Sequence, residues 1–214
     1  MLSFNDFFAD CSGLWRTDRT YHYMVDGTIE RSYTEFQVTP IESSDKQRIL
    51  SGFASTVSGH TSVKDEHCPG FAIAFETRSE TGEEVSMSLK ALFVPGDAFN
   101  APPQLPMSTF PLASAVPENE ELIRGFYLRD EGYSEGGAIA GRFTYQPTRQ
   151  TLEMTTYYRR SVAVDQMRFV APNLRMRTIV TYQRPEDSTQ PPSVINLLGF
   201  GVERKESDRL KDAL

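Results

Sequence analysis

The 214 residues include only two cysteines, one tryptophan and three histidines, and no apolar run approaches the roughly 20 residues that a bilayer-crossing helix needs. Cys11 and Cys68 form neither a C-x-x-C pair nor a disulfide framework, so both are expected to be free, structural thiols. His22, His60 and His67 lie far apart, and only His67 has a neighbouring ligand atom, in Cys68; no metal site is expected. Lys and Arg total 22 against 29 Asp and Glu, a net charge of -7, and no basic cluster occurs. That balance lacks the electrostatic footprint of a nucleic-acid binder. P-loop, glycine-rich dinucleotide turn and nucleophile elbow are all missing, which disfavours nucleotide chemistry. The amino terminus also lacks the basic-then-apolar order of a secretory signal. The expectation is a cytoplasmic chain with no membrane span.

What is present is alternation. Ser3 can cap a short amphipathic helix over about residues 4–10, with Phe4, Phe7 and Phe8 on one face. After Gly13 the period becomes two, as in Phe36 and Val38, then Phe71, Ile73 and Phe75, then Val85 to Phe93. It recurs in Leu122, Phe126 and Leu128, in Ile139 to Tyr145, in Leu152, Met154 and Tyr158, in Leu174, Met176 and Val180, and in Val194 to Val202. No long helical pattern is evident between these stretches. The spacing predicts a single all-β domain over residues 1–214, an antiparallel up-and-down barrel of about ten strands. Residues 95–117 hold six of the thirteen prolines and read as a surface loop, and 203–214 as a fraying charged tail.

Several arginines break the alternation. Arg19, Arg142, Arg175 and Arg177 fall at or near strand positions, and Arg175 and Arg177 share a face opposite Leu174 and Met176. Spacing alone leaves two readings open. Either the apolar face points inward and the arginines are solvated, the better reading of the pattern, or the apolar face packs outward and the guanidinium groups line the barrel. An unpaired interior charge costs several kcal/mol, so the second reading requires anionic partners, and a ligand with carboxylates would suit arginine forks. The helix followed by Gly13-Leu14-Trp15 resembles the entry of lipocalin-type barrels, in which an arginine covers the tryptophan; Arg204 is placed for this.

Three longer stretches resemble one family. Phe7-Phe8 with Gly13-Leu14-Trp15-Arg16-Thr17-Asp18-Arg19-Thr20-Tyr21-His22 is similar to the opening of the S-type phycobilin lyases, the CpcS/CpeS group of cyanobacteria and algae. Gly132-Tyr133-Ser134-Glu135 with Gly141-Arg142-Phe143 resembles a second block of that family. Phe169 with Pro172-Asn173-Leu174-Arg175-Met176-Arg177 resembles a third, the most specific. The resemblance implies a lipocalin-like barrel for phycobilisome assembly. It would bind a phycobilin, phycocyanobilin or phycoerythrobilin, as substrate with no permanently bound cofactor, and attach it by a thioether to a cysteine of a phycobiliprotein subunit.

It further implies that Arg175 and Arg177 hold the propionates, that Arg19 and Arg142 contribute to bilin binding, and that Asp165 and His22 serve catalysis. Partners would be the bilin, the acceptor subunit, and a second copy or a related lyase subunit. The compartment would be the cytoplasm, or the plastid stroma in an alga. Alternatives within the resemblance are a U-type partner subunit of a heterodimeric lyase and a bilin carrier without attachment activity. This chain departs from the family pattern at Asp165, usually glutamate, at Arg168, usually tryptophan, and at Tyr23, usually histidine.

Overall fold

A computed structural model describes residues 1–56, 63, 67–99, 121–132, 136–187 and 190–206. Ten antiparallel strands close into a barrel: β1 (Gly13–Tyr23), β2 (Ile29–Pro40), β3 (Gly70–Ser79), β4 (Glu84–Pro95), β5 (Ile123–Arg129), β6 (Ile139–Gln146), β7 (Thr151–Tyr157), β8 (Ser161–Ala171), β9 (Leu174–Gln183) and β10 (Ile195–Lys205). Each strand pairs with its sequence neighbours, and β1 pairs with β10, so no edge is left open. The up-and-down barrel expected from the alternation, lipocalin-like as the resemblance implies, is therefore present.

Helix α1 (Phe4–Cys11) closes one end. Ser3 Oγ accepts the Asp6 amide at 3.2 Å, which starts the helix, and spacing of three and four residues puts Phe4, Phe7, Phe8 and Cys11 on one buried face. Those rings enter the barrel. Phe8 lies 4.6 Å from Phe93, Phe7 5.2 Å from Phe169, and Phe4 stacks on Phe143 at 5.4 Å between centroids. Trp15 Nε1 donates to the Cys11 carbonyl at 2.8 Å and locks helix to strand. Gly13 makes the junction with φ +126°, a conformation that side chains avoid, and a Cβ there would meet Lys205 Cε at 2.6 Å. Ser3→Ala is expected to cost about 1 kcal/mol, read as a lower urea midpoint with an unchanged m-value.

The second helix, α2 (Ser43–Thr56), is not evident from the sequence pattern. Its first turns are polar, and apolar side chains gather only near Ile49, Leu50 and Phe53, too few to show helical periodicity. The helix lies on the outside of β4 and β5, where Ile49 and Phe53 join Leu92, Val94, Phe126 and Leu128 in a second core cluster. Phe126 and Leu128 thus face outward while Tyr127 and Arg129 face inward, which explains why β5 is apolar on both sides. The tail reading is also corrected, because Glu203 to Lys205 complete β10 and Glu203 is fully buried. Residues 100–120, which include most of the proline-rich 95–117 segment, and residues 207–214 lie outside the described residues.

Candidate ligand-binding cup

Because β1 starts at the α1 end, its far end, with Tyr21 and Tyr23, lies at the opposite mouth. Strand alternation and the registers then decide which arginines enter the barrel. Arg175 of β9 pairs with Glu203 of β10; Arg177 and Arg19 both pair with Gly201. At Gly201 an added Cβ would come within 2.8 Å of Thr17 Oγ1 and 3.1 Å of Arg19 Cγ, so glycine leaves the room that the Arg19 side chain occupies. The apolar positions of these strands face out instead: Met176, Phe200 and Val202 are exposed. Of the two readings of the alternation, the arginine-inward one holds for Arg19, Arg175 and Arg177.

The guanidinium groups converge on Glu203. Arg175 Nε and Nη2 both bind Glu203 Oε2 at 2.6 Å, Arg19 Nη2 lies 3.5 Å from Oε1, and Arg177 Nη1 lies 3.7 Å from the same oxygen. Arg177 also forms a two-pronged pair with Asp165, through Nε to Oδ1 at 2.9 Å and through Nη2 to Oδ2. Burial pushes the Glu203 carboxyl up, but Arg175, Arg177 and Arg19 outweigh it and hold the group below its ordinary value. Three cations and two anions thus share one site, leaving an excess positive charge inside the barrel. Arg19 Nε is buried and lacks an acceptor among the described residues.

Arg175 is only 2 % exposed. It lies 4.2 Å from the Trp15 ring centroid and donates to Cys11 Sγ at 3.2 Å, so Arg175, not Arg204, covers the tryptophan. Arg204 sits one residue out of phase, on the outer face, while Lys205 Nζ lies 5.7 Å from the same ring. Burial pushes the Cys11 thiol up despite the nearby Arg175, which keeps it a poor nucleophile. Both cysteines are buried, and neither is in a disulfide among the described residues.

Above this charged floor is a cavity of about 300 Å³ whose lining includes Tyr127, Arg129, Thr156, Tyr158, Asp165 and Thr181. Asp165 connects the ion-pair network to the cavity wall. His22 and Arg142 are elsewhere. His22 is on the outward phase of β1 with its ring 5.4 Å from that of exposed Phe200, and Arg142 is exposed between Phe126 and Thr155. Arg168 is likewise exposed, beside Met176. Tyr23 donates to Glu30 at 3.0 Å, and burial, then that bond, push its phenol up to about 12. Tyr133, Ser134 and Glu135 lie outside the described residues.

Sequence reasoning missed Glu203 and Arg129. The signal for Glu203 was its place in Gly199-x-Gly201-x-Glu203, an inner face made of small residues and one charge; the neighbouring charges of the tail obscured it. Arg129 closes Gly125-x-Tyr127-x-Arg129, the inner phase of a strand whose outer phase is equally apolar. Among the described residues, no cluster of three or more His, Cys, Asp or Glu side chains could hold a metal ion, and no helix is long and apolar enough to cross a membrane.

A sequence model of the family described as CpeS-like protein matches residues 3–101 and 107–205. Chromophore lyase CpcS/CpeS 1 of Synechococcus sp. (strain JA-3-3Ab) is 38% identical over 205 residues, covering 96% of this chain and 97% of its own. Chromophore lyase CpcS/CpeS 2 of Synechocystis sp. (strain ATCC 27184 / PCC 6803 / Kazusa) is 25% identical over 180 residues, covering 81% of this chain and 77% of its own. The fold matches the S-type phycobiliprotein lyase CPES from Guillardia theta with a TM-score of 0.64 at 17% identity, over 97% of this chain and 94% of that one. With the barrel, a family model over nearly the whole chain and a near full-length relative all in agreement, the chain belongs to the CpeS-like protein family.

Proposed function

We propose that the protein is a chromophore lyase that binds a phycobilin non-covalently in the cup and delivers it to a cysteine of a phycobiliprotein subunit. The observation that carries this reading is the Arg19, Arg177, Asp165 and Glu203 network beside an open-mouthed cavity. Its cationic excess suits a ligand with carboxylate arms, and its apolar walls suit a conjugated body. Arg177 and Arg19 are the groups for the propionates, with Arg19 Nε as a ready donor. Asp165, held by Arg177, is an acceptor for the pyrrole N–H groups. Arg175 positions Glu203 and so acts on the ligand through Arg177 and Arg19.

In the reaction the acceptor thiolate adds to the ethylidene group of ring A. A carbon–sulfur bond forms, the double-bond electrons pass into the conjugated pyrroles, and the proton released by the thiol ends on the pigment. The nucleophile belongs to the acceptor, so the lyase contributes orientation. Fixing one bilin conformer beside one thiol draws on the roughly 7–11 kcal/mol that proximity makes available. His22 and Arg142, on the outer face, fit contact with the acceptor or a partner subunit better than contact with the enclosed pigment.

The test is absorption on mixing micromolar protein with phycocyanobilin or phycoerythrobilin. A red-shifted, sharpened band within minutes is expected; an unchanged spectrum removes the bilin reading. Co-expression with a bilin pathway and a phycobiliprotein subunit then separates the roles. Covalent colour without a second lyase subunit identifies an independent lyase, colour only with one identifies a partner subunit, and none in either case identifies a carrier.

A further inference from the structure

Across the barrel from the network stands another cation. In the ring of ten strands, β5 is four strands from β1 in one sense and four from β9 in the other, so Arg129 faces the cluster formed by β9, β10 and β1. Its side chain points inward, is only 2 % exposed, and lines the same cavity as Asp165. Tyr158 lies at 2.7 Å from Arg129 Nη2 through its hydroxyl, and the rings of Tyr127 and Tyr158 lie 5.4 and 5.9 Å from the guanidinium carbon. Two aromatic faces and a hydroxyl thus hold a planar cation at the cavity wall.

Apart from Asp165, whose carboxylate Arg177 clasps, the rest of that wall is methyl, thioether and hydroxyl, from Met154, Ala163, Ile179, Thr156, Ser161 and Thr181. An arginine fixed at such a low-dielectric surface attracts an anion far more strongly than one in water, and its fork matches a carboxylate. Arg175 cannot serve the same purpose. Trp15, Cys11 and Glu203 cover its guanidinium.

We infer that Arg129 is a second anion-binding pole of the cup, taking one carboxylate of a dicarboxylic ligand whose other carboxylate lies on Arg177 and Arg19. The inference rests on the bilin reading and deepens it. The ligand is gripped from two opposite sides of the barrel, which fixes its rotation about the barrel axis and so determines which end ring meets the mouth.

The experiment is an absorption titration of wild type, Arg129→Gln, Arg129→Lys and Tyr158→Phe with phycocyanobilin and with its dimethyl ester, in which both carboxylates are blocked. Wild type is expected to prefer the free acid. Arg129→Gln is expected to lose about ten- to a hundredfold in affinity for the acid and less than about twofold for the ester. Tyr158→Phe, which removes the hydroxyl 2.7 Å from Arg129 Nη2, is expected to lose several-fold for the acid alone, and Arg129→Lys to keep most of the preference. Far-ultraviolet circular dichroism and thermal melts check folding, and the lysine and phenylalanine variants retain the test if the glutamine protein does not fold. Equal losses for acid and ester, or none, would overturn the inference while leaving the bilin reading intact. A wild-type protein that binds neither pigment would overturn both.

Discussion

Replacing Glu203 by leucine is expected to lower the unfolding free energy by about 3–5 kcal/mol, the range seen when one partner of a buried ion pair is removed. Arg175 would lose its only carboxylate partner among the described residues while its side chain stayed 2 % exposed, and Arg177 and Arg19 would lose their shared anion. Glu203→Gln keeps the shape and an acceptor oxygen, so it should cost less.

The pH dependence separates charge from shape. Burial raises the Glu203 pKa and the three arginines lower it further than burial raises it, so the folded value lies below the ordinary 4.5. A depressed folded value means a stability contribution fully present above the unfolded pKa and lost as pH falls through the folded one. Denaturation midpoints measured from pH 6 down to about 2 should therefore fall more steeply in wild type than in Glu203→Gln below the ordinary glutamate range. Parallel curves for the two proteins would show that the arginines do not hold this carboxyl ionised.

Asp165→Asn is expected to slow covalent attachment by about a hundredfold or more, the lower end of what a positioned proton-handling group supplies, and to blunt the absorption change on bilin binding. The side chain lines the cavity and is clasped by Arg177 through two contacts. As a carboxylate it can accept pyrrole N–H groups from one end of the pigment; an amide accepts through one oxygen only and presents a competing donor. Asp165 and Arg177 are both partly exposed, at 18% and 13%, so loss of their pair should move stability far less than loss of Glu203. Single-turnover transfer to an acceptor subunit, with urea unfolding of the same sample, measures the two effects side by side. Arg168→Ala, exposed on the outer face, serves as the matched control. An Asp165→Asn protein that attaches bilin at the wild-type rate would remove Asp165 from the mechanism.

Much of the fold was legible because alternation is a local property. The number of strands, their order and the α1 helix with its Ser3 cap all follow from side chains a few residues apart. Helix α2 was not legible, since only one and a half turns of it carry apolar side chains, and its burial depends on Phe126 and Leu128 some 75 residues away in sequence. For the candidate site, Asp165, Arg177 and Arg19 were visible through the motif blocks, whereas Glu203 was hidden among charges and Arg129 in an apolar strand.

The amino-acid sequence by itself determined the period of each strand and therefore that one face carries Arg175 and Arg177 and the other Leu174 and Met176. It did not determine which face looks inward, because a strand of period two has the same pattern in either phase. Closure of the barrel settled that phase: pairing Arg175 with Glu203 and Arg177 with Gly201 supplies the buried guanidinium groups with a counter-charge and space, and leaves Met176, Phe200 and Val202 outside. The physical reason is that an ion needs a partner in the interior, and only the tertiary structure brings residues 19, 165, 177 and 203 together.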